Sequence, residues 1–474
     1  MLGLLLISAP VRTRAASPAE PPLPGRRPSP DGARATRASH NTSRTFFRGG
    51  DCLAIGVLDG ELLHALGRPA VPHGLGPASH LGDCADLARA HQLRQLWLTP
   101  AALEALELPA SYGRRDTLAA SFLAHPGLVA PASQLSLAPR LSVWGGPGDA
   151  AVEVLVPSWE RRRSPWSPLA YAPALLAEVV DFTDATGMMW KGSGAITSDA
   201  WLRDHYGRKL EPMDWPPPAL DSSLEPSLYV SRPPLEEERR ARYVMAFDVN
   251  GMFLSAASSL ALPVGPYQHI SGVYADPSRP GYWWDASRGW ITTPTGAALA
   301  GAGDSCPLWP EAYFWPESHR WLEPWYRALR DGRTRLLETG SVVALEALKA
   351  VYREGVGRFG SVSRTKEADP LFVPYWRHAV QAEARTRLER HIRALPQSPV
   401  AVDIDSLFFL TSRSSPARFA RALGLRLGDG LGAFRFAGIA PGRAAREILE
   451  DPTARDPVKL LRELVKKGAP SADA

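Results

Sequence analysis

Cysteine is scarce: Cys52, Cys84 and Cys306 are the three in 474 residues, and no C-x-x-C joins them. A disulfide framework and a zinc ribbon are therefore not expected, and a reducing compartment is the default. The eleven histidines form no H-E-x-x-H and no other paired metal spacing. Long hydrophobic runs are also missing, since none reaches the roughly 18–20 residues a bilayer span requires. The opening "MLGLLLISAPVRTRAAS" imitates a signal core, but it lacks a basic first segment. Arg12 and Arg14 stand where small cleavage-site residues belong. The expectation is a cytoplasmic chain with no membrane partner. No internal repeat is found.

What is present is an ordinary globular balance, 45% hydrophobic and 22% charged, with a formal charge of +5. The pI near 9.1 is compatible with a polyanionic partner without requiring one. Residues 1–44, rich in Pro, Ala, Ser and Arg from position 9, read as a disordered leader. "DCLAIGVLDGELLHALG" (51–67) predicts two strands around an Asp59-Gly60 turn. "HLGDCADLARAHQLRQLWLTP" predicts a helix running into a buried strand. Further strands are expected at "LSVWGG" and "AVEVLVPSW", and a helix at "YAPALLAEVVDFTD". This gives a mixed domain over 45–235, closed by the proline-rich passage 211–238.

The second part opens with "RYVMAFDVNGMFLSAASSLAL", a strand that ends in Asp248 and turns into an apolar helical segment. After a tryptophan-rich stretch read as irregular comes "SHRWLEPWYRALRDGRTRLLETG", a helix with Arg327, Arg330, Arg333 and Arg335. A second helix, "SVVALEALKAVYREGVG", carries Lys349. A long third one leads into "VAVDIDSLFFL" (400–410), read as a strand holding Asp403 and Asp405. Charge inside such an apolar run is costly unless it is paired or holds a metal. One carboxylate from a first strand and two from its neighbour can hold two divalent ions about 4 Å apart. Mg²⁺ favours such oxygen ligands together with water and substrate phosphates. A helix-borne lysine would then meet a triphosphate as a point charge, an arrangement suited to nucleotidyl transfer. Taken singly, each feature has a plainer reading. "DVNG" is a common turn, Lys349 and the arginines of 327–335 suit solvated helix faces, and "ERRRSP" (160–165) suits a solvated loop. The fifteen tryptophans suit core packing, with those of 283–325 also able to stack on bases.

Together these segments resemble the motifs of family B DNA polymerases, in their protein-primed branch. D-x-x-S-L-Y-P-S is met by Asp248 to Ser255, K-x-x-x-N-S-x-Y-G falls on Lys349 to Gly357, and Y-x-D-T-D-S falls on Ala401 to Ser406. Arg353-Glu354 and Val356 replace Asn-Ser and Tyr in the second motif, and Ala401 and Ile404 depart from the third. The overall texture is most similar to the telomere-associated proteins of actinobacteria with linear chromosomes and plasmids. The resemblance implies an α+β fold in three parts. A degenerate RNase H-like, exonuclease-type domain without proofreading chemistry would occupy 45–235, a palm with fingers 236–420, and a small thumb-like region 421–474. It implies Asp248, Asp403 and Asp405 as catalytic residues, with Asp248 and Asp405 holding two Mg²⁺ (or Mn²⁺) ions. Lys349, Phe253, Arg330 and Arg333 would bind the nucleotide, and Gly357, Arg358 and Arg435 the DNA. The implied partners are deoxynucleoside triphosphates, telomeric or primer–template DNA and a terminal protein, in a nucleoid-associated setting. An alternative is an inactive pseudo-polymerase that binds telomeric DNA and recruits the terminal protein.

Overall fold

Residues 55–76, 81–108, 140–143, 152–159, 164–274, 279–301, 308–361 and 369–468 are described in the computed structural model, a mixed α/β arrangement. The expected leader, Asp51, Cys52, Cys306 and most of the 160–165 arginine run lie outside them.

The N-terminal sheet is built from β1 (Ile55–Asp59), β2 (Leu62–Ala65), β3 (Val71–Pro72), β4 (Gln95–Leu98), β5 (Arg140–Val143) and β6 (Val152–Leu155). Their order is β3-β2-β1-β4-β6-β5. β1 runs antiparallel to β2 and parallel to β4, which runs parallel to β6. The Asp59-Gly60 turn forms as expected, with Gly60 at a φ of +48°. Strand alternation gives the sheet two apolar faces. Leu58, Leu96, Leu98 and Val154 pack under α1 (Leu81–Ala90) and α2 (Pro100–Ala105). Ile55, Val57, Trp97 and Leu155 face the main core, where α3 (Ala172–Thr186) lies.

A helix not foreseen from the sequence, α4 (Gly194–Tyr206), follows α3. Its Ser193 cap accepts a hydrogen bond from the Ile196 N–H, as N-caps do.

The central sheet has the order β17-β8-β16-β15-β7, all neighbours antiparallel. It comprises β7 (Tyr229–Ser231), β8 (Tyr243–Val249), β15 (Ala401–Asp403), β16 (Ser406–Thr411) and β17 (Phe434–Pro441). β8 is buried on both faces. Met245 and Phe247 enter the main core, and Phe247 meets Phe409, Phe419 and Phe436 there. α5 (Met252–Ala257) belongs to this core. Val244 and Ala246 face the other way, under the last two helices.

The tryptophan-rich stretch is not irregular. It forms β9 (Leu262–Val264), β10 (Gln268–Tyr274), β11 (Gly281–Asp285), β12 (Gly289–Thr292), α6 (Thr293–Ala300), β13 (Leu308–Phe314) and β14 (Glu317–His319). The order β10-β13-β11-β12 makes a separate four-stranded sheet. Trp283, Trp309 and Phe314 bury one side of it, a period-2 pattern masked by aromatics at neighbouring positions.

Two helices joined through Gly340 and Ser341 follow, α7 (Glu323–Thr339) and α8 (Val342–Phe359), and then the long α9 (Pro374–Arg393). α7 ends where Gly340 takes a φ of +74°. α8 crosses α4 at backbone contact: a Cβ on Gly194 would lie 2.3 Å from the Ala350 carbonyl. Gly194→Ala is therefore expected to lower the unfolding free energy by about 1–3 kcal/mol, more than alanine's gain in helix propensity offsets. A lower urea midpoint at unchanged slope would register it.

Beyond β16 come α10 (Pro416–Leu423), β17, α11 (Gly442–Glu450) and α12 (Pro457–Gly468). Residues 421–474, expected as a thumb-like region, contribute β17 to the central sheet beside β8. Val458, Leu461 and Val465 of α12 pack on that sheet's second face. Among the described residues no helix is long and apolar enough to cross a membrane.

Candidate active site

The run 400–410 is not one strand. β15 and β16 are joined by a two-residue turn, Ile404-Asp405, with Asp403 opposite Ser406. A positive φ at the first turn position is normally supplied by glycine, yet Ile404 holds φ at +59°. A β-branched residue there is a true outlier, costing about 1–2 kcal/mol. The surroundings hold it. The Ile404 N–H donates to the Leu228 carbonyl at 2.8 Å, and the Val249 N–H donates to the Asp405 carbonyl at 2.9 Å. The second bond draws Asp405 to the end of β8.

Asp248 lies at that end. The chain then turns through Asn250 and Gly251 into α5. Gly251 has a φ of +56°, and a Cβ there would stand 2.6 Å from Leu431. The Asn250 N–H donates to the Ala433 carbonyl at 2.9 Å, and its side-chain amide donates to the Gly428 carbonyl at 2.6 Å. The turn is thus knitted to the glycine-rich segment that leads into β17.

Cross-strand register sets Asp403, Ser406, Asp248 and Arg435 in one row, and directly opposed residues share a sheet face. The Ser406 hydroxyl donates to Asp248 Oδ1 at 2.6 Å, and Arg435 Nη2 donates to Asp248 Oδ2 at 3.0 Å. Asp403 is expected to support the metal pair. Its side chain is 1% exposed and is ion-paired with Arg462 of α12. Asp403 Oδ1 is buried without a hydrogen-bond partner.

Asp405 differs from both. Burial, and next the Asp248 charge, push its carboxyl up to about 6, against the opposing pull of its own N–H and of Arg435. Two carboxylates that repel each other at partial burial suit a divalent cation, which would relieve the repulsion and replace lost hydration. Asp248 and Asp405 could thus hold a divalent cation as a two-residue ligand set, with waters and phosphates completing it. Among the described residues no group of three or more His, Cys, Asp or Glu side chains could hold a metal.

The other expected residues divide. Arg333 is buried, 7% exposed, with Nε lacking a partner. It acts electrostatically on Tyr352 of α8, as does Asp405; burial first and then Asp405 push that hydroxyl up, and Arg333 opposes them. The Tyr352 hydroxyl stands 3.9 Å from where a Gly251 Cβ would be. Sequence reasoning missed Tyr352; its one signal is its place three residues after Lys349, on the same helix face. Lys349 pairs with Glu346 at 2.5 Å. Arg330 is held by Asp331 at 2.8 Å and lies over the Tyr326 ring. Arg358 bonds Asp199 of α4 at 2.6 Å, and Gly357 is exposed. Phe253 is half-buried on α5, against the main core. Ser406 lay inside the third motif but was given no role, and Arg462 went unassigned because it lies in no stretch whose chemistry is legible alone.

No protein-family model matches the chain, and no curated protein does. Among solved structures the chain is similar to Phi29 DNA polymerase complexed with primer–template DNA and incoming nucleotide substrates, at 12% identity and a TM-score of 0.43. That match covers 73% of this chain and 76% of the other. The same polymerase complexed with single-stranded DNA matches at 11% identity and a TM-score of 0.41, covering 73% and 75%. Its orthorhombic crystal form matches at 13% and 0.35, covering 56% of this chain and 55% of that one. Scores this low do not establish a shared fold.

Proposed function

We propose that this chain is a DNA polymerase-like nucleotidyltransferase that acts at the ends of linear DNA. Its deoxynucleotides would be added to a hydroxyl of a terminal protein or to a DNA 3′ end. The observation that carries the reading is the strained hairpin tip beside Asp248, where burial first and the Asp248 charge next push the Asp405 carboxyl up to about 6. Perturbed carboxylates and local backbone strain concentrate where chemistry is done. Two Mg²⁺ or Mn²⁺ ions at such a pair would supply activation of an attacking hydroxyl and stabilisation of departing pyrophosphate.

The chain's own residues are assigned as follows. Asp248 and Asp405 hold the cations, with Ser406 orienting Asp248 through its hydroxyl bond. Asp403 supports them indirectly, by anchoring the base of the hairpin to Arg462. Arg333 and Lys349 meet the triphosphate; the unpartnered Nε of Arg333 supports its part. Phe253 lies under the sugar. Arg330 also meets the triphosphate, and Gly357, Arg358 and Arg435 contact DNA. In the 45–235 domain, an antiparallel β3-β2-β1 group extended by parallel β4 and β6 supports an RNase H-like reading. The telomere and terminal-protein setting rests on the sequence resemblance alone.

Two ion pairs favour the alternative, a recruiting scaffold without catalysis: Arg435 is paired with Asp248, and Glu346 with Lys349. Incorporation of labelled deoxynucleotide with Mg²⁺ or Mn²⁺ decides between them, run on a primer–template and separately on a terminal protein. The proposal expects metal-dependent label that Asp248→Ala abolishes. Absence of label on both substrates, with DNA binding retained, supports the scaffold and overturns the enzyme.

A further inference from the structure

The row Asp403–Ser406–Asp248–Arg435 carries two ion pairs that differ in how far the carboxylate is closed to water. In the Arg462–Asp403 pair the guanidinium is 42% exposed and the carboxylate 1%. In the Arg435–Asp248 pair the guanidinium is 55% exposed and the carboxylate 17%. The first is a fixed structural pair. The second is reached by water from the Arg435 side, and ion pairs with such access contribute less than buried ones. It also stands in the way. Asp248 Oδ1 accepts from the Ser406 hydroxyl and Oδ2 from Arg435, so each oxygen already holds one bond and the guanidinium charge stands beside Oδ2. A cation shared between Asp248 and Asp405 would meet the Arg435 charge beside Oδ2 and compete with it for the carboxylates.

We infer that Arg435 is a removable counter-ion that couples phosphodiester binding to cation binding: it sits on Asp248 when no nucleic acid is present and passes to a backbone phosphate when one is. The inference rests on the metal-holding reading of Asp248 and Asp405 and adds the order in which the site is made ready. Three features support it. A guanidinium fork fits a phosphate as well as a carboxylate, so the transfer exchanges one charge-assisted bond for another. Arg435 follows a glycine-rich segment in which Gly428, Gly430 and Gly432 have open space around them, so a ligand can approach. The segment is also tied to the Asp248 turn through Asn250, so a phosphate there is held close to the pair. By linkage, whatever draws Arg435 from Asp248 tightens the cation, and the cation tightens the phosphate by the same factor.

The test is Mn²⁺ binding at pH 7.5, read from the resonance signal of the free ion, on wild type, Arg435→Gln and Asp248→Asn. Each protein is measured alone and with a saturating DNA primer–template, and uptake by DNA alone is subtracted. Wild type is expected to bind Mn²⁺ about fivefold more tightly with DNA, the equivalent of about 1 kcal/mol for an exposed pair. Arg435→Gln should bind without DNA about as tightly as wild type does with it, and should gain no more when DNA is added. Equal gains in wild type and Arg435→Gln would overturn the inference, as would equal affinities without DNA. Mn²⁺ binding that Asp248→Asn abolishes but that ignores both DNA and Arg435→Gln would remove the coupling and leave the metal reading standing. No Mn²⁺ bound by wild type or by Arg435→Gln would overturn both.

Discussion

Asp405→Asn is expected to stabilise the metal-free protein at pH 7 by about 2–3 kcal/mol, and to abolish cation binding at the same time. Burial and Asp248 raise the folded-state carboxyl from 3.8 to about 6. The unfolded chain therefore releases this proton near pH 4, and the folded one releases it near pH 6. Between those values the folded state binds more protons, so stability falls as pH rises through the window. Asparagine carries no titrating proton and escapes the loss. Its advantage should be present at pH 7 and should vanish below pH 4. Urea midpoints at pH 4, 5 and 7 in chelator test it; an equal effect at all three would show that Asp405 is not under this strain. Added Mn²⁺ should stabilise the wild type and leave Asp405→Asn unmoved, because a ligand stabilises only the state that binds it.

Arg462→Ala is expected to destabilise the fold by about 2–4 kcal/mol. Removing one partner of a buried pair leaves an uncompensated charge, here on Asp403, which already has one oxygen without a partner. The lower part of the usual range applies because Arg462 itself is 42% exposed, and water can enter where it stood. Asp403→Asn combined with Arg462→Ala should recover most of the loss, since the orphaned charge is then gone. A double variant as unstable as the single one would mean that Arg462 acts by packing its stem rather than by pairing. The loss should also loosen the β15–β16 hairpin, because Asp403 is the residue directly before the strained Ile404.

Long periodic segments were legible in the sequence. The helices that became α1, α3, α7, α8 and α9 and the strand β8 lie close to where apolar spacing and flanking turn residues put them. Legibility failed where two signals compete. In "VAVDIDSLFFL" every residue but the acids is apolar or small, so the run reads as one buried strand; nothing in it announces a turn, because isoleucine replaces the expected glycine. Across β10 to β13 aromatics stand at consecutive positions, and alternation is hidden although the pairing is regular. α4 lacks a strong apolar stripe because Gly194 and Ser198 face α8 at close range, and small residues at such a crossing do not read as a core face. At the site the aspartates were visible and their counter-ions were not. Arg462 lies 59 residues beyond Asp403, and only the packing of α12 on the sheet brings it there.

The proposed function requires Asp248 and Asp405 to hold a divalent cation together. Anomalous diffraction at the manganese edge tests it most directly, on crystals grown with primer–template DNA above pH 7 and soaked in Mn²⁺. A peak bounded by the Asp248 and Asp405 carboxylates, with Asp403 still paired to Arg462, is the expected result. A protein that stays ordered and shows no manganese between those two carboxylates, or shows it only elsewhere, would contradict the account.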